Sequence, residues 1–132
     1  MGIAWAEALA SIGVPDVSVH SGPATTPRRG SERDRLLAAI CYATLGRGEI
    51  TSGNRKIVGL AQRRRRPGAL IQCGLLRTWQ PAPLLRALGA ASHDAQIAGA
   101  AAGIEDFMED PPTDATIMAA VEECLNRVVA GS

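Results

Sequence analysis

Between residues 49 and 76 two turn signals cut the run of apolar and polar positions into three strand-like pieces. Gly53-Asn54 accept positive φ cheaply and suit a two-residue hairpin loop. Pro67-Gly68 form a second turn dipeptide, with Pro fixing φ. This pattern predicts a β-meander with strands at about 48–52, 55–64 and 69–76. Before it, Trp5, Leu9 and Ile12, with Ala8 beside them, share one face of a helix over 3–12 that Gly13 ends. Val17-Ser18-Val19-His20 alternates as a strand.

The linking stretches are less regular. Residues 21–35 are poor in apolar side chains and carry Arg28, Arg29, Arg33 and Arg35; they predict a surface connector, with a loop over a ligand pocket as the alternative. The apolar run 36–44 fits helix or strand, and Gly46-Arg47-Gly48 after it favours a strand for its second half. Pro83, Leu84, Leu85 and Leu88 predict a short helix stopped by Gly89. The Ala-rich stretch 92–108 predicts a helix with Ser92 as N-cap, weakened by Gly99 and Gly103. Asp110-Pro111-Pro112 breaks it, and Thr113 caps a last helix with Ile117, Val121, Cys124 and Val128 along one face. The fold class expected is α+β: a small mixed or antiparallel sheet with helices on one face. Residues 1–90 carry the sheet and 91–132 form a C-terminal helical segment of the same domain.

Composition narrows the classes. A chain of 132 residues makes one domain, and 3% aromatic content leaves a core of Ala, Leu, Ile and Val. A net charge of +1 gives no overall attraction to nucleic acid or to an anionic membrane, so neither is an expected partner. No apolar run approaches the ~18 residues of a membrane span. No basic region precedes the first apolar residues, and a cytoplasmic protein is expected. Cys41, Cys73 and Cys124 fit neither a disulfide framework nor a zinc-ligand spacing, so no metal site is expected and each reads as a reduced, half-buried small hydrophobe. The basic run at residues 63–66 is short and lacks interleaved aromatics; on a strand its side chains alternate faces and cannot all meet one ligand.

Lys56 stands out because every other one of the 14 positive side chains is Arg. An ammonium is compact, with three rotatable donors, whereas a guanidinium is a rigid planar fork. A chemical role for Lys56 and a chance lysine on a solvated strand are both open from the residues alone. Period-two alternation groups Lys56 with Val58, Leu60 and Gln62 and puts Gly59 on the opposite face. Gly59 marks either a close approach by backbone or ligand, or a simple bulge. Val58 and Leu60 suit either core packing or the wall of an acyl tunnel.

The segment Gly53-Asn54-Arg55-Lys56-Ile57-Val58-Gly59-Leu60-Ala61-Gln62-Arg63-Arg64 resembles the lysine motif of the lipoate–protein ligase and octanoyltransferase family. That motif runs from a small-residue turn through Arg/Lys-Lys, an aliphatic pair, Gly, a variable residue, Ala or Ser and Gln, often followed by Arg. The similarity extends to residues 41–50 and 68–72 and covers roughly residues 5–90. It implies a partial biotin/lipoate-ligase catalytic domain, with ATP and lipoate (or octanoate) as substrates, Mg alongside, and a lysine of a lipoyl carrier domain as acceptor. It assigns catalysis to Lys56, and substrate or adenylate binding to Gly53, Arg55, Val58, Gly59, Leu60 and Gln62. His20-Ser21-Gly22-Pro23 resembles the His/Arg-Gly-Pro end of a family strand, although His20 alone reads as an ordinary strand histidine. In the octanoyltransferase version Cys41 is the alternative nucleophile, carrying the acyl group as a thioester; a structural cysteine is the other reading. The family's paired-Arg, Gly-rich strand has no counterpart in these residues. The resemblance therefore implies the second half of a ligase: one chain of a split enzyme whose partner supplies that strand, or a non-catalytic accessory or remnant.

Overall fold

The meander is the centre of the structure, a computed structural model that describes residues 1–25 and 30–132. Strands β1 (Val17–Val19), β2 (Ile50–Ser52), β3 (Arg55–Arg65) and β4 (Gly68–Leu75) form one antiparallel sheet in that order. The helices among the described residues are α1 (Gly2–Ser11), α2 (Glu32–Ala39), α3 (Ala82–Ala87), α4 (Asp94–Ala98) and α5 (Asp114–Ala130). The fold is α+β. At the β2–β3 turn Gly53 takes a φ of 57° while Asn54 stays out of positive φ, the pattern of a type II′ rather than a type I′ loop.

One irregularity matters for everything that follows. Ile50 pairs with Val58 but Thr51 pairs with Lys56, so Ile57 is an extra residue on β3, a one-residue bulge. Ile57 and Val58 are consequently both fully buried, although they are adjacent on one strand. The β3–β4 ladder, by contrast, is unbroken from Val58–Leu75 to Arg65–Gly68.

The main core lies on one face of the sheet. Ala4, Trp5, Ala8 and Leu9 of α1 and Ile117, Val121 and Cys124 of α5 pack with Ile50, Ile57, Val58 and Ile104. Each large side chain so buried contributes roughly 1.5–3 kcal/mol. The predicted stripe on α5 is therefore a packing face, with Val128 at its margin. Its start is capped as expected, the Thr116 amide donating to Thr113 Oγ1 at 3.2 Å. No helix among the described residues is long and apolar enough to cross a membrane.

Helices are not confined to that face. The chain following α2 lays a 3-10 turn, Cys41–Ala43, against the opposite side of β3, where a smaller cluster joins Ile40, Leu85 and Ile97 with Leu36 and Trp79. The first half of 36–44 is thus helix, and the strand expected in its second half is replaced by the 3-10 turn. Part of the reason was in the sequence: Ser31 Oγ accepts from the Asp34 amide at 3.1 Å while Asp34 Oδ2 accepts from the Ser31 amide at 3.3 Å, a reciprocal cap that starts α2 inside the expected connector. Arg28 and Arg29 of that connector lie outside the described residues.

The helix expected over 92–108 is also broken. Only α4 forms, ending at Gly99, and residues 100–102 run extended beside β3 in the place β4 has already left. The Lys56 amide donates to Ala100 O at 3.0 Å and the Ala102 amide donates to Lys56 O at 2.9 Å. Small residues here serve close backbone packing: a Cβ on Gly103 would run into the main chain of Arg77 and Thr78.

Candidate functional site: a buried lysine in a cavity wall

Lys56 is 4% exposed, so its charge must find partners inside the protein. It finds three: Glu49 Oε2 at 2.7 Å, Cys41 O at 2.7 Å and Thr44 O at 3.0 Å. An ammonium has three hydrogens, and these three acceptors match them. The face of the Tyr42 ring lies 5.0 Å from the same nitrogen, close enough for a cation–π contact. Glu49 is equally committed. Its Oε2 also accepts from the Gly46 amide at 2.6 Å, and its Oε1 accepts from the Leu60 amide at 3.1 Å. The pair fastens the loop of residues 41–49 to β3.

Tyr42 explains the glycines. Gly59 and Gly74 are directly opposed on β3 and β4, and the tyrosine lies over both. Its hydroxyl donates to Gly74 O at 2.6 Å. A Cβ on Gly74 would stand 2.8 Å from that hydroxyl oxygen, and one on Gly59 would stand 3.3 Å from Lys56 Cε and 3.5 Å from the ring. The close approach that a glycine inside a strand signals is made by an aromatic ring of the same chain. Burial pushes the Tyr42 phenol above its ordinary pKa, and the charges of Glu49 and Cys41 add to that; a hydrogen bond with the Gly59 backbone opposes it.

Beside this cluster opens a cavity of about 630 Å3. It is lined from the sheet by Lys56, Gly59, Ala61, Gln72 and Gly74, from α2 by Ala38, and from the connecting segments by Ala24, Thr25, Cys41, Tyr42, Leu45 and Glu49. The lining is mainly apolar with a few polar side chains among them, Lys56 and Glu49 included, a composition common in small-molecule sites.

The bulge decides which expected residues reach it. The grouping of Lys56 with Val58 and Gln62 is overturned: the extra residue shifts the alternation by one, and Lys56 shares its side with Gly59, not with Val58. Val58 is in the main core and Gln62 is exposed; neither lines the cavity, whereas Gln72 on β4 does. Gly59 and Leu60 line it, Leu60 also packing on the core. Gly53 stays in the hairpin turn, and the Arg55 guanidinium sits over the Phe107 ring at 5.0 Å; neither lines the cavity. Cys41 is exposed rather than half-buried, carries a free thiol and is at the rim; Cys73 is half-buried and Cys124 buried. His20 Nε2 donates to Pro23 O at 3.0 Å and is not part of the lining. Glu49, Tyr42, Gln72 and Gly74 were not singled out by the sequence reading. The one available signal was the carboxylate standing immediately before an apolar strand, opposite the single lysine.

Among the described residues no three His, Cys, Asp or Glu side chains gather as a metal-binding group. Comparisons of the chain with protein-family models, with curated proteins and with solved structures found no match.

Proposed function

We propose that the chain is a lipoate–protein-ligase-like protein, with part of a biotin/lipoate-ligase-type catalytic domain. In this reading its cavity holds a lipoyl or octanoyl group for transfer to a lysine of a carrier domain. The observation that carries the reading is that the lysine of the 53–64 motif stands in the wall of the cavity and not on a solvated strand face. Ala24, Ala38, Leu45 and Ala61 suit an aliphatic tail, and Lys56 suits the acyl head.

The chemistry follows from charge. ATP converts the carboxylate to an acyl adenylate with pyrophosphate leaving, and the acceptor amine then displaces AMP. Both steps build negative charge on carbonyl and phosphate oxygens, which a preorganised ammonium stabilises. Lys56 meets such an oxygen by exchanging one loop carbonyl for it, and Thr44 O, at 3.0 Å the longer of the two, is the one to give way. Glu49 keeps the ammonium in position meanwhile. Among the described residues Glu49 is the one carboxylate lining the cavity, and its oxygens are already shared among Lys56, Gly46 and Leu60, a poor fit for Mg; no step is routed through it. A second chain bearing an Arg- and Gly-rich strand completes the phosphate site in the split-enzyme form of this reading.

A second reading rests on the exposed Cys41 thiol at the rim. Its thiolate would attack an octanoyl thioester, releasing the carrier thiol, and pass the acyl group to the acceptor amine. An acyl adduct in intact-protein mass spectra, lost in Cys41→Ala, distinguishes this route from the adenylate one.

The decisive experiment is calorimetric binding of a non-hydrolysable octanoyl-sulfamoyl adenosine. The wild-type chain is expected to bind it, and Ala61→Leu, which fills the cavity from an exposed strand position, to bind at least about tenfold more weakly at unchanged melting temperature. No binding to the folded wild-type chain, alone or with a candidate second chain, ends the ligase reading.

A further inference from the structure

The run of four arginines at residues 63–66 is divided by the sheet between its two faces. The β3–β4 ladder is unbroken, so side chains alternate faces strictly along it. Gly59–Gly74 faces Tyr42 and the cavity, and counting by twos puts Ala61–Gln72, Arg63–Leu70 and Arg65–Gly68 on the same side. Arg63, Arg65 and Leu70 line a shallow groove of about 380 Å3 at the hairpin tip. Arg64, paired with Ala69, points to the other face. A single track therefore leads from the Lys56 cavity outward along the hairpin. At about 3.3 Å per residue, Arg63 is about 13 Å and Arg65 about 20 Å from Gly59.

We propose that this track docks an acidic, extended segment of a protein partner, its carboxylates on Arg63 and Arg65 and its path leading toward the cavity. With the cavity read as an acyl site, which this proposal rests on, that partner is the acyl acceptor. Charge argues for the occupant. Residues 61–76 contain four Arg and no Asp or Glu, all four are exposed, and among the described residues none of them joins an ion pair. A guanidinium takes a carboxylate through two parallel hydrogen bonds. Nucleic acid fits less well, because no aromatic side chain in residues 61–76 offers a base a stacking surface.

The test uses the full chain and a short fluorescent peptide with one lysine among glutamates, read by anisotropy at low and physiological salt. Arg63→Gln/Arg65→Gln is expected to weaken binding about tenfold or more; Arg64→Gln/Arg66→Gln, which removes the same charge, by less than about threefold. All four positions are exposed, so both variants should melt like the wild type. Equal losses in the two pairs, or no binding of the peptide by the wild type, overturn the proposal. So does tighter, Arg63- and Arg65-dependent binding of a single-stranded oligonucleotide. The sulfamoyl-adenosine ligand reports separately: if it fails to bind while the two arginine pairs still differ, the ligase reading falls and the docking track stands.

Discussion

Lys56 Nζ and Glu49 Oε2 meet at 2.7 Å with 4% and 9% of their side chains exposed, so each charge depends on the other. Removing one partner of such a pair leaves an uncompensated charge in a low-dielectric setting, which costs about 3–5 kcal/mol. Lys56→Met and Glu49→Leu should each lose that much by urea unfolding. The double variant should recover about 2–3 kcal/mol relative to the sum of the singles. Full additivity would show that the pair is not coupled. Binding of the sulfamoyl-adenosine ligand gives an independent readout: under the ligase reading the double variant regains stability but, with no ammonium, not binding.

Gly74 and Gly59 should differ in their tolerance of a methyl group. Alanine at 74 meets the Tyr42 hydroxyl oxygen at 2.8 Å and displaces it from Gly74 O, whereas alanine at 59 needs Lys56 Cε to yield from 3.3 Å. Gly74→Ala is expected to cost about 1–3 kcal/mol and Gly59→Ala less. Thermal unfolding of the two variants, with Gly74→Ala/Tyr42→Phe as a rescue, checks the order.

Tyr42 is the chain's single tyrosine, so ultraviolet titration of tyrosinate reports on it alone. Burial raises its pKa, and the midpoint should lie above the ordinary phenol value of about 10. A raised folded-state pKa means that the neutral phenol contributes stability fully below the unfolded value and loses it as pH rises through the folded one. Stability should therefore fall above about pH 10, and Tyr42→Phe should remove that part of the fall. A midpoint at or below the free-phenol value would contradict the half-buried placement.

Gly103→Ala probes the backbone seam beside Lys56. The added methyl would meet the Arg77 carbonyl and Thr78 Cα, main-chain atoms with no rotamer to change. A loss of about 3 kcal/mol is expected. Hydrogen exchange should localise it, with faster exchange at the Lys56 and Ala102 amides than at α1.

The sequence carried the parts of the fold that depend on local signals. Gly53 and Pro67 fixed the meander to within a residue or two at each strand end, and Thr113 with the 117, 121, 124 stripe fixed α5. It misled where a long-range partner decides the outcome. The 92–108 stretch has the alanines of a helix, but β3 offers open backbone groups next to it at Lys56, and those take residues 100–102. The apolar run 36–44 fits helix or strand by pattern, and the Ser31–Asp34 cap that starts α2 decides its first half for helix. In the site, Lys56 and Gly59 were legible from the motif; their being neighbours on one side was not, because the bulge follows from pairing with β2.

Ile57 acts as a phase shifter between the two halves of β3. Upstream of it the strand is in step with β2, downstream with β4, and the single extra residue lets a lysine and a glycine three positions apart look the same way. Length changes in β3 beyond Ile57 therefore keep side chains on the cavity face only in even steps, each of which still slides them along the strand by about 6–7 Å. An odd step would turn Ala61, Arg63 and Arg65 to the other face and present Gln62 and Arg64 in their place.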